Sequence, residues 1–338
     1  MEAVMRSGLL SRLGPYVLPL IVLVITWIVI AAVTPTFRGQ ASVFSVLQGF
    51  PMIGLAALGL AVTIIAGEFD LSVGSMAALS AVIAVIAAPT GLIGCIVIAV
   101  AVCTAIGALQ GTLIGRLGIN SLVFTIGTLI LIRGLTWMLA NNAPIMLENF
   151  EITDPLLLRF GIFSWSSIMA IAVFVVAGFF LTYTRWGREI FAIGGARNEA
   201  IAAGVPRVRP LAVAFAISAF CAALAGALAA MRGGSAAPQN YEDLLLSGAA
   251  AALLGGISLY GGRGTVLNVA LGVAILSVVG TGLAARGSSA SLVQLVTGAL
   301  LLTVITIEFL AGRLTLGNTV FGRAVPKAGA RRSAAGSG

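Results

Sequence analysis

The chain has 338 residues, of which 59% are apolar and only 9% are charged. Soluble domains carry about 25% charged residues, so this chain cannot coat a globule of its size in water. Soluble enzymes, nucleic-acid binders and disordered proteins are excluded, and the net charge of +8 is assigned to the basic water-facing segments of a multi-spanning membrane protein.

A membrane helix needs about 20 apolar residues to cross about 30 Å of hydrocarbon. Ten runs meet this in order: residues 17–33, 43–66, 71–88, 91–114, 121–140, 163–182, 210–231, 244–259, 265–285 and 290–311. Barrel-like alternation is absent, so the expected fold is all-α. The first run is too long for a signal-peptide core and no clear A-x-A site follows, so it reads as an uncleaved anchor. The eighth is short and rich in Gly and Ala. Threading ten spans from a cytoplasmic N-terminus puts fourteen Lys and Arg inside and four outside, with Arg133 within a span. Cytoplasmic loops carry that excess, so both termini are expected in the cytoplasm. Residues 1–312 then form one polytopic domain. The tail, 313–338, is basic and rich in Gly, Ala and Ser. It is expected to be disordered beside anionic lipid at the inner surface.

Absent residues narrow the chemistry. There is no histidine, which excludes Ser-His-Asp and Cys-His catalysis and His-ligated zinc. The single lysine is Lys327 in the tail, so no G-x-x-x-x-G-K-S/T loop holds ATP. Cys95, Cys103 and Cys221 lie in apolar runs without C-x-x-C spacing and read as small core residues. No catalytic residue, metal site or cofactor is expected.

Helices in lipid associate where small residues let backbones approach. Gly107, Gly111 and Gly115 recur every four residues in the fourth span, and Ala222, Gly226 and Ala230 in the seventh; both stripes read as contact faces. The segment 67–74 can be laid over 255–262, with the first Gly, the Leu and the last Gly identical. Such internal repeats with glycine-interrupted helices mark substrate paths in transporters.

Four charges in apolar surroundings need a reason: Glu68, Asp70, Arg133 and Glu308. Glu68 and Asp70 sit either in a tight cytoplasmic turn or at a backbone break that lines a polar cavity. Asp70 either caps the next helix near Ser72 and Gly74 or bonds solute hydroxyls. Arg133 either snorkels outward or faces the bundle interior. Glu308 is placed to pair with Arg313.

The longest inside connection is 184–209. Asn198 as N-cap and Gly204 as helix stop before Pro206 predict a short amphipathic helix, with glycine breaks on both sides. That suits a docking lever for a partner protein; the alternative is a basic loop on anionic lipid.

Three motifs in order carry a family resemblance. Gly67-Glu68-Phe69-Asp70-Leu71-Ser72-Val73-Gly74, then Gly187-Arg188 with Ala192-Ile193-Gly194-Gly195, then the segment from Gly255 and Gly256 through Ser258 to Gly264 resemble the permease subunits of ribose/xylose-type ABC importers, which take up monosaccharides in bacteria. The resemblance covers residues 43–311. Glu68 stands where that family usually has glycine, Ala196 where it often has asparagine, Gln110 where asparagine is usual, and Asn120-Ser121 replaces a proline-containing turn.

The resemblance implies a type II importer fold of about ten helices, working as a dimer with a second permease subunit in the bacterial inner membrane. A separate ATPase subunit would dock at Arg188, Gly194, Gly195, Asn198, Glu199 and Gly204. A sugar-binding protein would deliver a monosaccharide or related polyol at the outer face. Pathway or helix-break candidates are Glu68, Asp70, Ser72, Gly74, Asn120, Arg133, Gly255, Gly256 and Ser258. An ion-coupled secondary transporter, using Asp70 or Glu68 as the coupling carboxylate, is the alternative.

Overall fold

The structure, a computed structural model, describes residues 2–320, with side chains described for 16–306. The Glu308–Arg313 pairing and most of the expected tail therefore lie outside the described residues. Fourteen helices follow in order: α1 Glu2–Val33, α2 Gln40–Leu47, α3 Leu55–Ile65, α4 Val73–Ile86, α5 Leu92–Leu117, α6 Ser121–Leu139, α7 Asp154–Leu157, α8 Trp165–Tyr183, α9 Arg185–Gly195, α10 Arg197–Ala202, α11 Val208–Gly233, α12 Leu244–Leu254, α13 Val266–Ala284 and α14 Ala290–Val320. Two strand pairs of two residues each are the only sheet among the described residues: β1 Ile145–Met146 with β4 Ser235–Ala236, and β2 Arg159–Phe160 with β3 Phe163–Ser164.

Seven helical segments among the described residues are long and apolar enough to cross a membrane. One of them, Gln40–Ile65, joins α2 to α3 through a π-turn at Phe50–Gly54. The other expected runs correspond to shorter apolar helices, Val73–Ile86, Leu244–Leu254 and the described apolar part of α14, Ala290–Thr306. The first two are short because the backbone is helical over only part of the run. The third run begins at Val73 rather than residue 71, and the eighth stops at Leu254 rather than 259.

The core is built around α11, which packs against α3, α4 and α5. All eleven residues of α3 are buried. The outer helices turn large apolar side chains outward, among them Ile93, Val123 and Leu131. That pattern suits hydrocarbon as solvent, where every backbone group is bonded within its own helix.

Both glycine stripes are contact faces. A β-carbon on Gly115 would lie 2.9 Å from the Val208 Cα, and one on Gly111 would lie 2.8 Å from the Ala212 Cα. One on Gly107 would strike Ala219 and the Phe215 carbonyl. As the number rises on α5 it falls on α11, so the two helices run antiparallel. Gly226 does the same for α11 against α4, where a methyl group would meet the Ala77 carbonyl.

The internal repeat is visible in the backbone, one residue out of the expected register. Both α3 and α12 are eleven residues long. Each ends in the same pair of bonds: Gly67 N to Ile64 O with Glu68 N to Thr63 O, and Gly256 N to Leu253 O with Ile257 N to Ala252 O. This is the Schellman end, which needs a left-handed residue, and Gly67 and Gly256 supply it at φ +74° and +90°. Gly67 thus matches Gly256, not Gly255. Sequence identity favoured the wrong glycine of an adjacent pair.

The connections gather at two ends of the bundle. Residues 67, 194–195 and 261–262 meet at one end, as do Gly118 and Arg207. At the other, Gln48 meets Ser164 and Arg232, β1 meets β4, and Asp243 meets Gln294.

Candidate functional site

The three segments that carry the glycine motifs converge. A β-carbon on Gly67 would lie 3.3 Å from the Gly194 Cα, and one on Gly261 would lie 2.6 Å from the Gly194 carbonyl oxygen and 3.0 Å from the Gly67 Cα. One on Gly194 would run into the Ile65 carbonyl, and one on Gly262 into the Gly195 Cα. That same Ile65 carbonyl accepts a bond of 2.8 Å from the Gly262 N–H. Backbone lies on backbone here, so side chains are excluded. Glu68 closes the junction, accepting from Arg197 of α10 at 2.6 Å. Its side chain is only 8% exposed, so the arginine matters to it.

From this junction the segment 68–72 descends into the bundle. Its backbone donors are met by side chains of α6: Phe69 N–H donates to Ser121 Oγ and Leu71 N–H to Thr125 Oγ1, both at 3.2 Å. Asp70 is fully buried. Its Oδ1 accepts from the Ser72 N–H at 2.9 Å and the Ser72 hydroxyl at 2.6 Å, and its Oδ2 from the Ser218 hydroxyl of α11 at 2.8 Å. Ser218 is ten residues past the start of α11, or about 15 Å along its axis. The break is therefore inside the bundle and not a surface turn. The network continues from Ser72 to Gln110 of α5, which donates to Thr128 of α6 at 2.6 Å.

Beside it lies a narrow cleft of about 100 Å³ lined by Gly74, Ser75, Arg133, Thr136, Tyr241 and Glu242 among others. That is well below the roughly 300–1,000 Å³ of small-molecule sites. Arg133 is ion-paired to Glu242 just before α12, both about half exposed. It faces the 238–245 segment rather than a buried interior.

The connection 184–209 is α9 and α10. Thr184, not Asn198, provides the side-chain cap: its hydroxyl accepts from the Gly187 N–H at 3.1 Å. Asn198 is the second residue of α10, which follows Ala196 without a side-chain cap. Gly204 does end α10, at φ +88°. Arg188, Gly195, Asn198, Glu199 and Gly204 are exposed on this surface, while Gly194 is half-buried in the junction. Asn120 caps α6, accepting from the Leu122 N–H at 2.9 Å, and stands apart from the Asp70 network. Gly255 packs on the Asn268 carbonyl of α13, and Ser258 Oγ accepts from the Tyr260 N–H at 3.3 Å.

Residues 42–305 match the family model described as branched-chain amino acid transport system / permease component. The chain belongs to this permease family. Relatives include the ribose import permease of Bacillus subtilis strain 168, 30% identical over 89% of this chain and 94% of the relative. The L-arabinose transport permease of Escherichia coli K12 is 30% identical over 86% of this chain and 89% of the relative. The fructose import permease of Rhizobium meliloti is 26% identical over 87% and 85%. No solved structure matches the chain. The permease is thus a multi-pass protein of the inner membrane and a transport subunit rather than an enzyme.

Sequence reasoning missed the partners within this permease. Ser121 and Thr125 are one helical turn apart at the start of α6, and that spacing was a readable signal for their shared task. Glu189 of α9 was also missed. It is 6% exposed and binds Arg209 at the base of α11 through both oxygens, one of them at 2.9 Å from Nε, and also Arg185. Burial alone would raise its pKa, but bonds and charge from Arg209 and Arg185 hold it below the ordinary 4.5. A depressed carboxyl contributes stability above its unfolded value and loses it as pH falls through the folded one. Melting followed from about pH 7 to about pH 3 is expected to show an acid loss beginning below 4.5. Glu189→Gln is expected to lower the neutral-pH melting point and flatten that acid limb; an unchanged limb refutes the assignment.

Proposed function

We propose that this chain is the membrane-spanning subunit of an ATP-driven importer for a monosaccharide or related small polyhydroxylated solute. It crosses the membrane ten times with both termini in the cytoplasm. The observation that carries the reading is the glycine junction, where the buried helix break at 67–72 touches the exposed helices α9 and α10 directly. A partner that moves α10 pulls on Glu68 through Arg197, and so on the segment that leads to Asp70. An ATPase subunit docks on Arg188, Asn198, Glu199 and Gly204. A sugar-binding protein meets the opposite end, and a second permease subunit completes the pathway. The gathering of connections at two ends supports the alternating threading, and the inner-end assignment follows the excess of arginine. The named relatives import ribose, L-arabinose and fructose, which supports a sugar as cargo.

The test is uptake by proteoliposomes holding the permease with its ATPase and binding protein. Sugar uptake is expected only with ATP at the ATPase. Uptake driven by a proton gradient without ATP overturns this reading and restores Asp70 or Glu68 as a coupling carboxylate.

A further inference from the structure

A second cleft lies at the end of the bundle opposite α9, where the C-terminus of α11 meets the π-turn and the start of α8. It encloses about 320 Å³ and is lined by Gln48, Pro51, Met52, Ser166, Leu228 and Arg232 among others. That volume is at the lower end of the range for small-molecule sites, about 300–1,000 Å³. It is three times the volume of the cleft beside Arg133.

Five buried side-chain polar atoms lack a hydrogen-bond partner among the described residues, and two of them, Gln48 Nε2 and Ser166 Oγ, belong to residues lining this cleft. Ser166 is 1% exposed. Leaving such a group unpaired is costly, and native interiors rarely do so. The orientation of Gln48 is fixed by its other atom: Oε1 accepts from Arg232 Nη1 at 2.5 Å and from the Ser164 hydroxyl at 3.2 Å. Its amide nitrogen is thus left to donate to something else. Arg232 retains further N–H donors, and a serine hydroxyl donates or accepts. The lining contains no carboxylate. The cleft therefore offers donors and a positive charge, which excludes a cation and selects a ligand rich in oxygen acceptors. Pro51, Met52 and Leu228 supply an apolar wall for a C–H face.

We propose that this cleft is a docking site for one sugar or polyol ring, occupied before the solute enters the bundle. The proposal rests on the import reading above. Gln48 and Arg232 hold hydroxyl oxygens on one edge of the ring, Ser166 holds a second edge, and the ring face lies against Met52 and Leu228.

The test uses Ala229→Cys, a half-buried position lining the same cleft, in vesicles carrying the complete transporter. The native cysteines, Cys95, Cys103 and Cys221, are buried and do not compete for the reagent. Modification by a membrane-impermeant methanethiosulfonate is followed with D-ribose, L-arabinose, D-xylose, D-fructose, D-glucose and myo-inositol in turn. At least one is expected to slow labelling about tenfold when present at about ten times its Kd. Adding Gln48→Leu or Arg232→Gln is expected to remove that protection. In the unlabelled transporter, each is expected to raise the uptake KM about tenfold, as for a lost charge-assisted or amide bond, with the maximal rate unchanged. Labelling unaffected by every sugar overturns the docking site, whatever uptake shows. Protection without ATP-dependent uptake keeps the site and removes the import reading.

Discussion

Gly194→Ala is expected to abolish uptake while the chain still inserts in the membrane. The added methyl group has no room: it points into the carbonyl of Ile65, the last residue of α3. Backbone is the obstacle, so no side-chain rotation relieves it. That carbonyl is also the acceptor for the Gly262 N–H, and displacing it loosens the third segment of the junction. Overpacking a close contact costs about 1–3 kcal/mol and sometimes more. If that cost falls on the state in which α9 seats against α3, the seated population drops by about tenfold to a hundredfold. Gly195→Ala is the control. Its β-carbon would lie 3.6 Å from the Gly262 Cα, an ordinary contact, and its φ is not in the left-handed region. It is expected to retain most uptake. Equal uptake by both variants would mean that the junction is not seated in the working transporter. Equal loss would mean that the exposed face of Gly195 contacts the ATPase directly.

That contrast was not legible in the sequence, where Gly194 and Gly195 are equivalent members of one pair. What the sequence does carry is the period of its small residues. The four-residue spacing of Gly107, Gly111 and Gly115 specifies a helix face, and α11 lies on that face. Glu68 and Asp70 stood out because charge in an apolar run is costly, and both turned out to be bonded. Their partners were hidden because Arg197 is 129 residues from Glu68 and Ser218 is 148 from Asp70. No local rule links residues so far apart. Glu242 is hidden in the same way, 109 residues from Arg133. The misread cap has a local cause: Asn198 and Thr184 both have capping side chains, but Thr184 directly precedes α9 while Asn198 falls one residue inside α10.

Asp70→Ala is expected to be the most destabilising substitution in the break, and Asp70→Asn to be mild. The carboxylate accepts three bonds, two from Ser72 and one from Ser218, and it is fully buried with no cation among its bonded partners. Alanine leaves the Ser72 N–H and two hydroxyls without this acceptor. Each buried group left unpaired costs about 1–3 kcal/mol, so a loss of several kcal/mol in a purified, folded sample is expected. Asparagine keeps Oδ1 for both Ser72 bonds, and its amide nitrogen donates to Ser218 Oγ once that hydroxyl turns its proton elsewhere. It also removes a buried charge, which offsets part of any loss. The bonding ties the start of α4 to α11, which predicts that Asp70 acts by holding the break and not by touching solute. Thermal stability and uptake of the two variants separate these roles. Holding the break predicts a large fall in melting temperature for alanine, a small one for asparagine, and uptake that follows stability. Equal stability in both variants with uptake lost in both would place the carboxylate on the solute instead, and the bonds to Ser72 and Ser218 would then open during transport.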